Sequence, residues 1–179
     1  MNPLYSSTKI TLLRGTFHRK KKLFTMVSNY YIDDVLKAFK NFKGTFSSNN
    51  IPILENNERV ICNFSRAGEE GTHFIFLTCK EENLYYFDPL NLSFLPEDVA
   101  AYFLLFKNVI NLSKRIQHPN SSFCGFYCIL AFLACNFNIV FFTNNVLTVF
   151  KKYCLENDNL CVKLIQCLFP LSLIYSQNK

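Results

Sequence analysis

Residues 72–90, THFIFLTCKEENLYYFDPL, contain two apolar runs separated by a short polar turn at 81–83. Both runs are rich in aromatic and β-branched residues, which is typical of β-strands. A polar turn of this length between them predicts an antiparallel hairpin. In such a hairpin the start of one strand lies opposite the end of the other. His73 and Asp88 are therefore predicted to meet across the sheet.

The segments on either side of this hairpin predict further strands and several helices. Apolar residues recur at helical spacing from Tyr31 to Phe42, whereas the stretch 44–52, GTFSSNNIP, has the composition of a loop. The fold class is predicted as α+β, with helices packed around a mainly antiparallel central sheet. In chain order the pattern predicts a helix over 26–42, a strand over 59–65, the hairpin strands 72–80 and 83–90, a helix over 96–106, a strand over 109–117, a helix starting at Cys124, a helix capped by Thr143 or Asn144 that runs to about 155, and a last helix over 160–169 that stops at Pro170.

The composition is that of one domain with a dense aromatic core. Of 179 residues, 50% are hydrophobic, with 20 Phe, nine Tyr and no Trp. We expect a basic extension over 1–25 and the domain proper over 26–179. The extension carries HRKKK at 18–22, and the formal net charge is +6. The net charge favours contact with polyanions or acidic partners, although a modestly basic soluble protein explains it equally well. For the HRKKK run a solvated tail is a better explanation than a dedicated nucleic-acid patch.

The eight cysteines are predicted to be reduced and the protein intracellular, because most lie inside apolar runs and no secretory signal precedes them. Cys124 and Cys128 would share a helix face. A zinc site is not expected, since the chain has no C-x-x-C and no second pair of ligands to complete a tetrahedron.

One segment, 123–142, is about long enough to span a bilayer. Gly125, Tyr127, Asn136 and Asn138 interrupt its apolar character. A buried helix followed by a strand or a loop is the better interpretation, and no membrane contact is expected.

The stretch 117–128, QHPNSSFCGFYC, places a thiol at the predicted start of that helix. Free backbone N–H groups and the helix dipole favour a thiolate there, so Cys124 is a candidate nucleophile. Its own backbone N–H would point towards an oxyanion. Gly125 removes a side chain where a substrate backbone must come close.

A thiol nucleophile also needs a base, an orienting acceptor and an oxyanion donor. His73 lies at a strand start, which makes it the candidate base; His118, in the loop beside Gln117, is the alternative. Asp88 is the candidate acceptor and Gln117 the candidate amide donor. The competing interpretation is that Asp88-Pro89 marks a turn and His73 is an ordinary core histidine.

These residues resemble the adenovirus endopeptidase (adenain) family of cysteine proteases. Residues 117–125 are similar to its Q-G-P-N-S-x-x-C-G segment, 61–74 to its N-x-x-G-R-E-x-G-G-x-H-W stretch and 84–90 to its Y-L-F-E-P-F. The GTF at 44–46 answers to its G-T-Y. The resemblance covers roughly 26–140 and implies an adenain/Ulp-like fold with the nucleophile at the start of a buried helix. It implies these roles: His73 as base, Asp88 as its orienting carboxylate, Gln117 as oxyanion donor, Cys124 as nucleophile, and Gly71, Phe74 and Gly125 as substrate-binding residues.

The family cleaves viral precursor proteins at glycine-containing sites during particle maturation. The resemblance implies that this chain has the same function. It also implies that the protein is a monomer and acts in the virion and the host nucleus. It also implies DNA as a cofactor. Family members carry an activating capsid-derived peptide on a cysteine eleven residues before the glutamine. That position is Phe106 here, so a peptide could bind only without a disulfide. Asp88 replaces the usual Glu, Phe74 replaces Trp, and no match is evident beyond about residue 140.

Two other functions fit the same residues. A SUMO- or ubiquitin-like deconjugating protease shares the order His, Asp, Gln, Cys and prefers Asp at the second of these positions. Its motif, however, has Asp directly before Cys-Gly, where this chain has Phe123. The second of these functions is that of a catalytically inactive relative with a structural or DNA-binding role.

Overall fold

A computed structural model describes residues 27–177. The basic extension predicted over 1–25 lies outside the described residues. The hairpin predicted from 72–90 is confirmed: its strands pair antiparallel, with Phe76 opposite Phe87 and Lys80 opposite Asn83. Glu81 and Glu82 turn the chain with positive φ angles of 53° and 63°.

The hairpin lies within a five-stranded sheet of order β1-β2-β3-β4-β5 in the described residues. β2 and β4 flank β3 antiparallel, whereas both edge strands pair parallel to their neighbours. The sheet is therefore mixed. The prediction of a mainly antiparallel sheet was wrong, because a crossover connection joins each edge strand to the strand with which it pairs. The strands are β1 (Phe42–Ser47), β2 (Arg59–Asn63), β3 (Phe74–Lys80), β4 (Asn83–Phe87) and β5 (Asn108–Asn111).

The helices surround this sheet on both faces. Cys124 begins α3, as predicted, and α3 is buried along nearly its whole length. One apolar cluster joins α1, α3 and α5 to one face of the sheet, and a second joins α2 to the other face. No helix within residues 27–177 is long and apolar enough to cross a membrane. The helices are α1 (Asn29–Leu36), α2 (Glu97–Phe103), α3 (Cys124–Phe137), α4 (Ile139–Phe141) and α5 (Glu156–Gln177).

Residues 42–47 form β1, so the loop predicted over 44–52 is wrong in its first part. The helix predicted over 26–42 is also too long, since α1 ends at Leu36. A register shift between Phe42 and Gly44 breaks the two-residue alternation of this strand. Phe42 consequently packs against the cluster of α3, whereas Phe46 packs against the cluster of α2. This irregularity conceals the strand in the sequence.

The strand predicted over 109–117 ends early, at Asn111. The backbone N–H groups of Ile116 and Gln117 both donate to the Pro89 carbonyl, at 3.1 and 3.0 Å, instead of extending the ladder with β4. This arrangement brings Gln117 to the end of β4, where Asp88 lies.

The prediction for the region after α3 was wrong in two respects. Residues 142–149 form a π-helical turn and a 3₁₀ turn where a helix to about 155 was expected. The last helix begins at Glu156 and passes through Pro170. Tertiary contacts stabilise it beyond the proline, since Ser172 donates to the Leu133 carbonyl and its own carbonyl accepts from Asn136.

Candidate active site

His73 and Asp88 meet as the hairpin geometry predicted. His73 directly precedes β3 and Asp88 directly follows β4. His73 Nε2 lies 2.7 Å from Asp88 Oδ1, and both side chains are buried. A hydrogen bond of this length between an imidazole and a carboxylate fixes the orientation of the ring.

The Asp88 carboxylate is fixed in its turn by the backbone that follows β4. Its Oδ1 accepts from the Leu90 N–H and its Oδ2 from the Leu92 N–H, each at 2.8 Å. The Asp88 N–H donates to Ser113 Oγ, also at 2.8 Å. The bond from Leu90 is the turn that Asp88-Pro89 indicates in the sequence, whereas the bonds that involve Leu92 and Ser113 had no signal in the sequence.

Cys124 is the first residue of α3, and its thiol lies close enough to His73 to raise the pKa of the imidazole. Because Nε2 binds Asp88, the other ring nitrogen, Nδ1, is available to the thiol. Cys124 is only 3% exposed. A substrate would therefore reach the sulfur through a narrow opening.

The electrostatics of His73 favour its protonated form. Burial alone lowers the pKa of the imidazole, but the hydrogen bonds and charge interactions with Asp88 and Cys124 outweigh it and raise the pKa to about 9. A protonated imidazole beside a thiol stabilises the thiolate, which is the nucleophilic form of cysteine.

Gln117 is bonded to the segment that follows Asp88 and to the loop that precedes Cys124. It is 1% exposed, its N–H bonds to the Pro89 carbonyl, and its Nε2 donates to the Ser121 carbonyl at 2.7 Å. An amide nitrogen carries two hydrogens, so Nε2 has a second one to offer. Gln117 Oε1 is buried and has no hydrogen-bond partner among the described residues.

His118, the alternative base, is engaged elsewhere. Its Nδ1 accepts from the Asn120 N–H at 3.1 Å, and its charge interacts with Asp158 in α5. Of the two candidates, His73 is the one whose pKa is raised by interaction with Cys124.

Two of the predicted substrate-binding residues line a groove of about 490 Å³ between the start of α1 and the loop 65–71. Phe74 forms part of its wall, as does Gly71. A Cβ on Gly71 would lie 2.5 Å from Asn63 Nδ2, so this glycine also allows Asn63 to bind the backbone N–H groups of Ser65 and Thr72.

Gly125 is buried behind Cys124, and a Cβ there would lie 3.2 Å from Val27 Cβ and 3.3 Å from Ile32 Cδ1. The absent side chain therefore accommodates the packing of α1 on α3. Its role in substrate binding stays a prediction.

Among residues 27–177, no three His, Cys, Asp or Glu side chains are arranged to hold a metal ion. All eight cysteines are free thiols. A scan of protein-family models and a search of curated proteins found no match to this chain. The resemblance to adenain consequently stays a prediction from the sequence motifs.

Sequence reasoning missed the part that α5 plays beside the site. Asn157 and Asp158 contact the segment that carries Gln117. Both lie beyond residue 140, where the resemblance ends, and neither stands in a recognisable motif.

Proposed function

We propose that this chain is a cysteine endopeptidase with Cys124 as nucleophile. The observation that carries the proposal is the convergence of Cys124, His73 and Asp88, which come from the start of a helix and from the two strands of one hairpin. A thiol, an imidazole and an orienting carboxylate in this order are the groups that covalent catalysis of peptide hydrolysis requires.

In the proposed mechanism the thiol proton resides on His73 and the Cys124 thiolate attacks the scissile carbonyl carbon. The Gln117 amide and the Cys124 backbone N–H donate to the resulting oxyanion. His73 then protonates the leaving amine, which gives a thioester. Water attacks the thioester with His73 as general base, and the carboxylic acid and the free thiol are released. Asp88 keeps the ring oriented throughout.

The substrates we propose are precursor proteins of an adenovirus-like virus or related mobile element, cleaved at glycine-containing sites during maturation in the virion and host nucleus. The motif in 117–125 supports this choice, as does the low exposure of Cys124. Only small residues can pass between close walls on either side of a buried sulfur. The same opening would also admit the Gly-Gly end of SUMO or ubiquitin, and Asp88 favours that second candidate function.

Two activators belong to the proposal. β5 is an edge strand of the sheet and all of its residues are exposed, so a peptide could add to it as a further strand without a disulfide. Phe106 stands just before this strand and lines a neighbouring groove of about 550 Å³. DNA is the second activator, and its binding would weaken steeply with salt, as expected for a chain of charge +6.

The test uses peptides of the type Leu-x-Gly-x-Gly and Leu-x-Gly-Gly-x beside SUMO and ubiquitin fusions, each with and without DNA. Cleavage of the peptides that disappears in Cys124→Ala supports a maturation protease. Cleavage of the fusions alone supports the deconjugating protease. Cleavage that persists in Cys124→Ala refutes the proposed endopeptidase. Silence in every mixture points to a missing peptide activator or to an inactive relative.

A further inference from the structure

A side chain in the first turn of α5 hydrogen-bonds to the segment that carries Gln117. Asn157 is 3% exposed, and its Nδ2 donates to the Ile116 carbonyl at 2.7 Å and to the Lys151 carbonyl at 2.6 Å. Its Oδ1 accepts from the Lys151 N–H at 3.3 Å. Ile116 directly precedes Gln117, so this amide fixes the backbone at the start of the 117–123 loop.

Asp158, the next residue of α5, contacts the other end of the loop. Its carboxylate accepts a hydrogen bond from Tyr127 Oη at 2.9 Å, and it also interacts with the Ser121 hydroxyl. Tyr127 lies one turn after Cys124 in α3. The same carboxylate attracts His118. Asp158 therefore links the loop to the helix that carries the thiol.

Together, these contacts fix the conformation of the 117–123 loop, which carries Gln117. Asn157 binds the Ile116 carbonyl, the Gln117 side chain donates to the Ser121 carbonyl, and Asp158 interacts with Ser121 while it binds Tyr127 of α3. We propose that Asn157 and Asp158 are positioning residues that set the Gln117 amide relative to Cys124. This inference rests on the proposed endopeptidase function.

The proposal assigns a kinetic role to α5. If the Ile116 carbonyl loses its donor, the Gln117 amide shifts, and displacement of a transition-state donor by about 1 Å can cost on the order of a hundredfold in rate. The oxyanion exists only in the transition state, so kcat falls while KM changes little. Alkylation of Cys124 by iodoacetamide creates no oxyanion and is expected to keep its rate.

The experiment compares Asn157→Ala and Asp158→Ala with Asn159→Ala, an exposed residue of the same helical turn, in the full chain. We expect Asn157→Ala to lower kcat about tenfold to a hundredfold. Asp158→Ala, at a partly exposed site, should lower kcat less and serves if Asn157→Ala does not fold. Asn159→Ala should match the wild type. Alkylation of Cys124 should be unchanged in all three.

A double-mutant cycle separates positioning from general destabilisation. In a Gln117→Ala background, Asn157→Ala should cause little further loss, because the group that it positions is already absent. Full additivity of the two losses would overturn the inference, as would an unchanged kcat in both α5 variants. A wild type without Cys124-dependent cleavage would instead refute the proposed function, and this inference with it.

Discussion

His73 is hydrogen-bonded to Asp88 through Nε2, and its imidazole also interacts with Cys124. Its environment combines burial, which disfavours charge, with two partners that favour it, and the partners prevail. The pKa of His73 therefore depends on both neighbours. Any change that removes Asp88 or displaces Cys124 should lower the pKa of His73 towards its ordinary value.

The first prediction concerns the dependence of stability on pH. The pKa of His73 is raised from 6.5 to about 9 on folding. A raised pKa contributes stability that is fully present below about pH 6.5 and is lost as the pH rises through about 9. Between these values, the free energy of unfolding by urea should fall more steeply with pH in the wild type than in Asp88→Asn. Equal slopes in the two proteins would contradict the assignment.

The second prediction concerns Gln117. Gln117→Ala removes a donor to the oxyanion and should lower kcat by about 10²–10³-fold, with KM nearly unchanged. Steady-state kinetics on a cleaved peptide measure both constants. Alkylation of Cys124 provides the control, since its rate should match the wild type. If KM rises and kcat persists, Gln117 binds substrate and does not stabilise the oxyanion.

At the scale of elements, the hairpin and α3 could be predicted because local signals and tertiary structure agree there. Two β-rich runs and a polar turn specify the hairpin, and an apolar run after Cys124 specifies the helix. β1 could not be predicted, because its register shift breaks the alternation. The helix end predicted at Pro170 was also wrong. Contacts of Ser172 with α3 outweigh the local effect of the proline, so α5 continues past it.

The third prediction concerns Phe132, the α3 residue whose ring packs against aromatic residues of the sheet and of the segment before β1. Its ring makes edge contacts with Phe39, Phe42 and Phe76 at centroid distances of 5.2, 5.4 and 6.4 Å. Phe132→Ala should lower the free energy of unfolding by about 3–5 kcal/mol, because it leaves a cavity in a fully buried position.

The control for this variant is Phe94→Ala, since Phe94 is 67% exposed. Its change should stay below about 0.5 kcal/mol. Urea unfolding measures both. A loss for Phe132→Ala no larger than that of the control would show that α3 does not pack on the sheet as described.

At the scale of the whole molecule, the candidate site exists only because distant segments converge. The meeting of His73 and Asp88 could be inferred from the hairpin alone. The approach of Cys124 to His73 depends on how α3 packs against β3, and the support from Asn157 depends on α5, so neither follows from local pattern. Sequence therefore predicted the reactive groups, whereas the groups that hold them became visible only in the fold.

The most direct test of the central claim is the rate at which iodoacetamide alkylates Cys124 near neutral pH, followed by peptide mass spectrometry. We predict that native Cys124 reacts faster than Cys167, an exposed cysteine, and that His73→Ala or unfolding in urea removes this advantage. A Cys124 that reacts no faster than Cys167, or at the same rate with and without His73, would contradict its activation as a nucleophile.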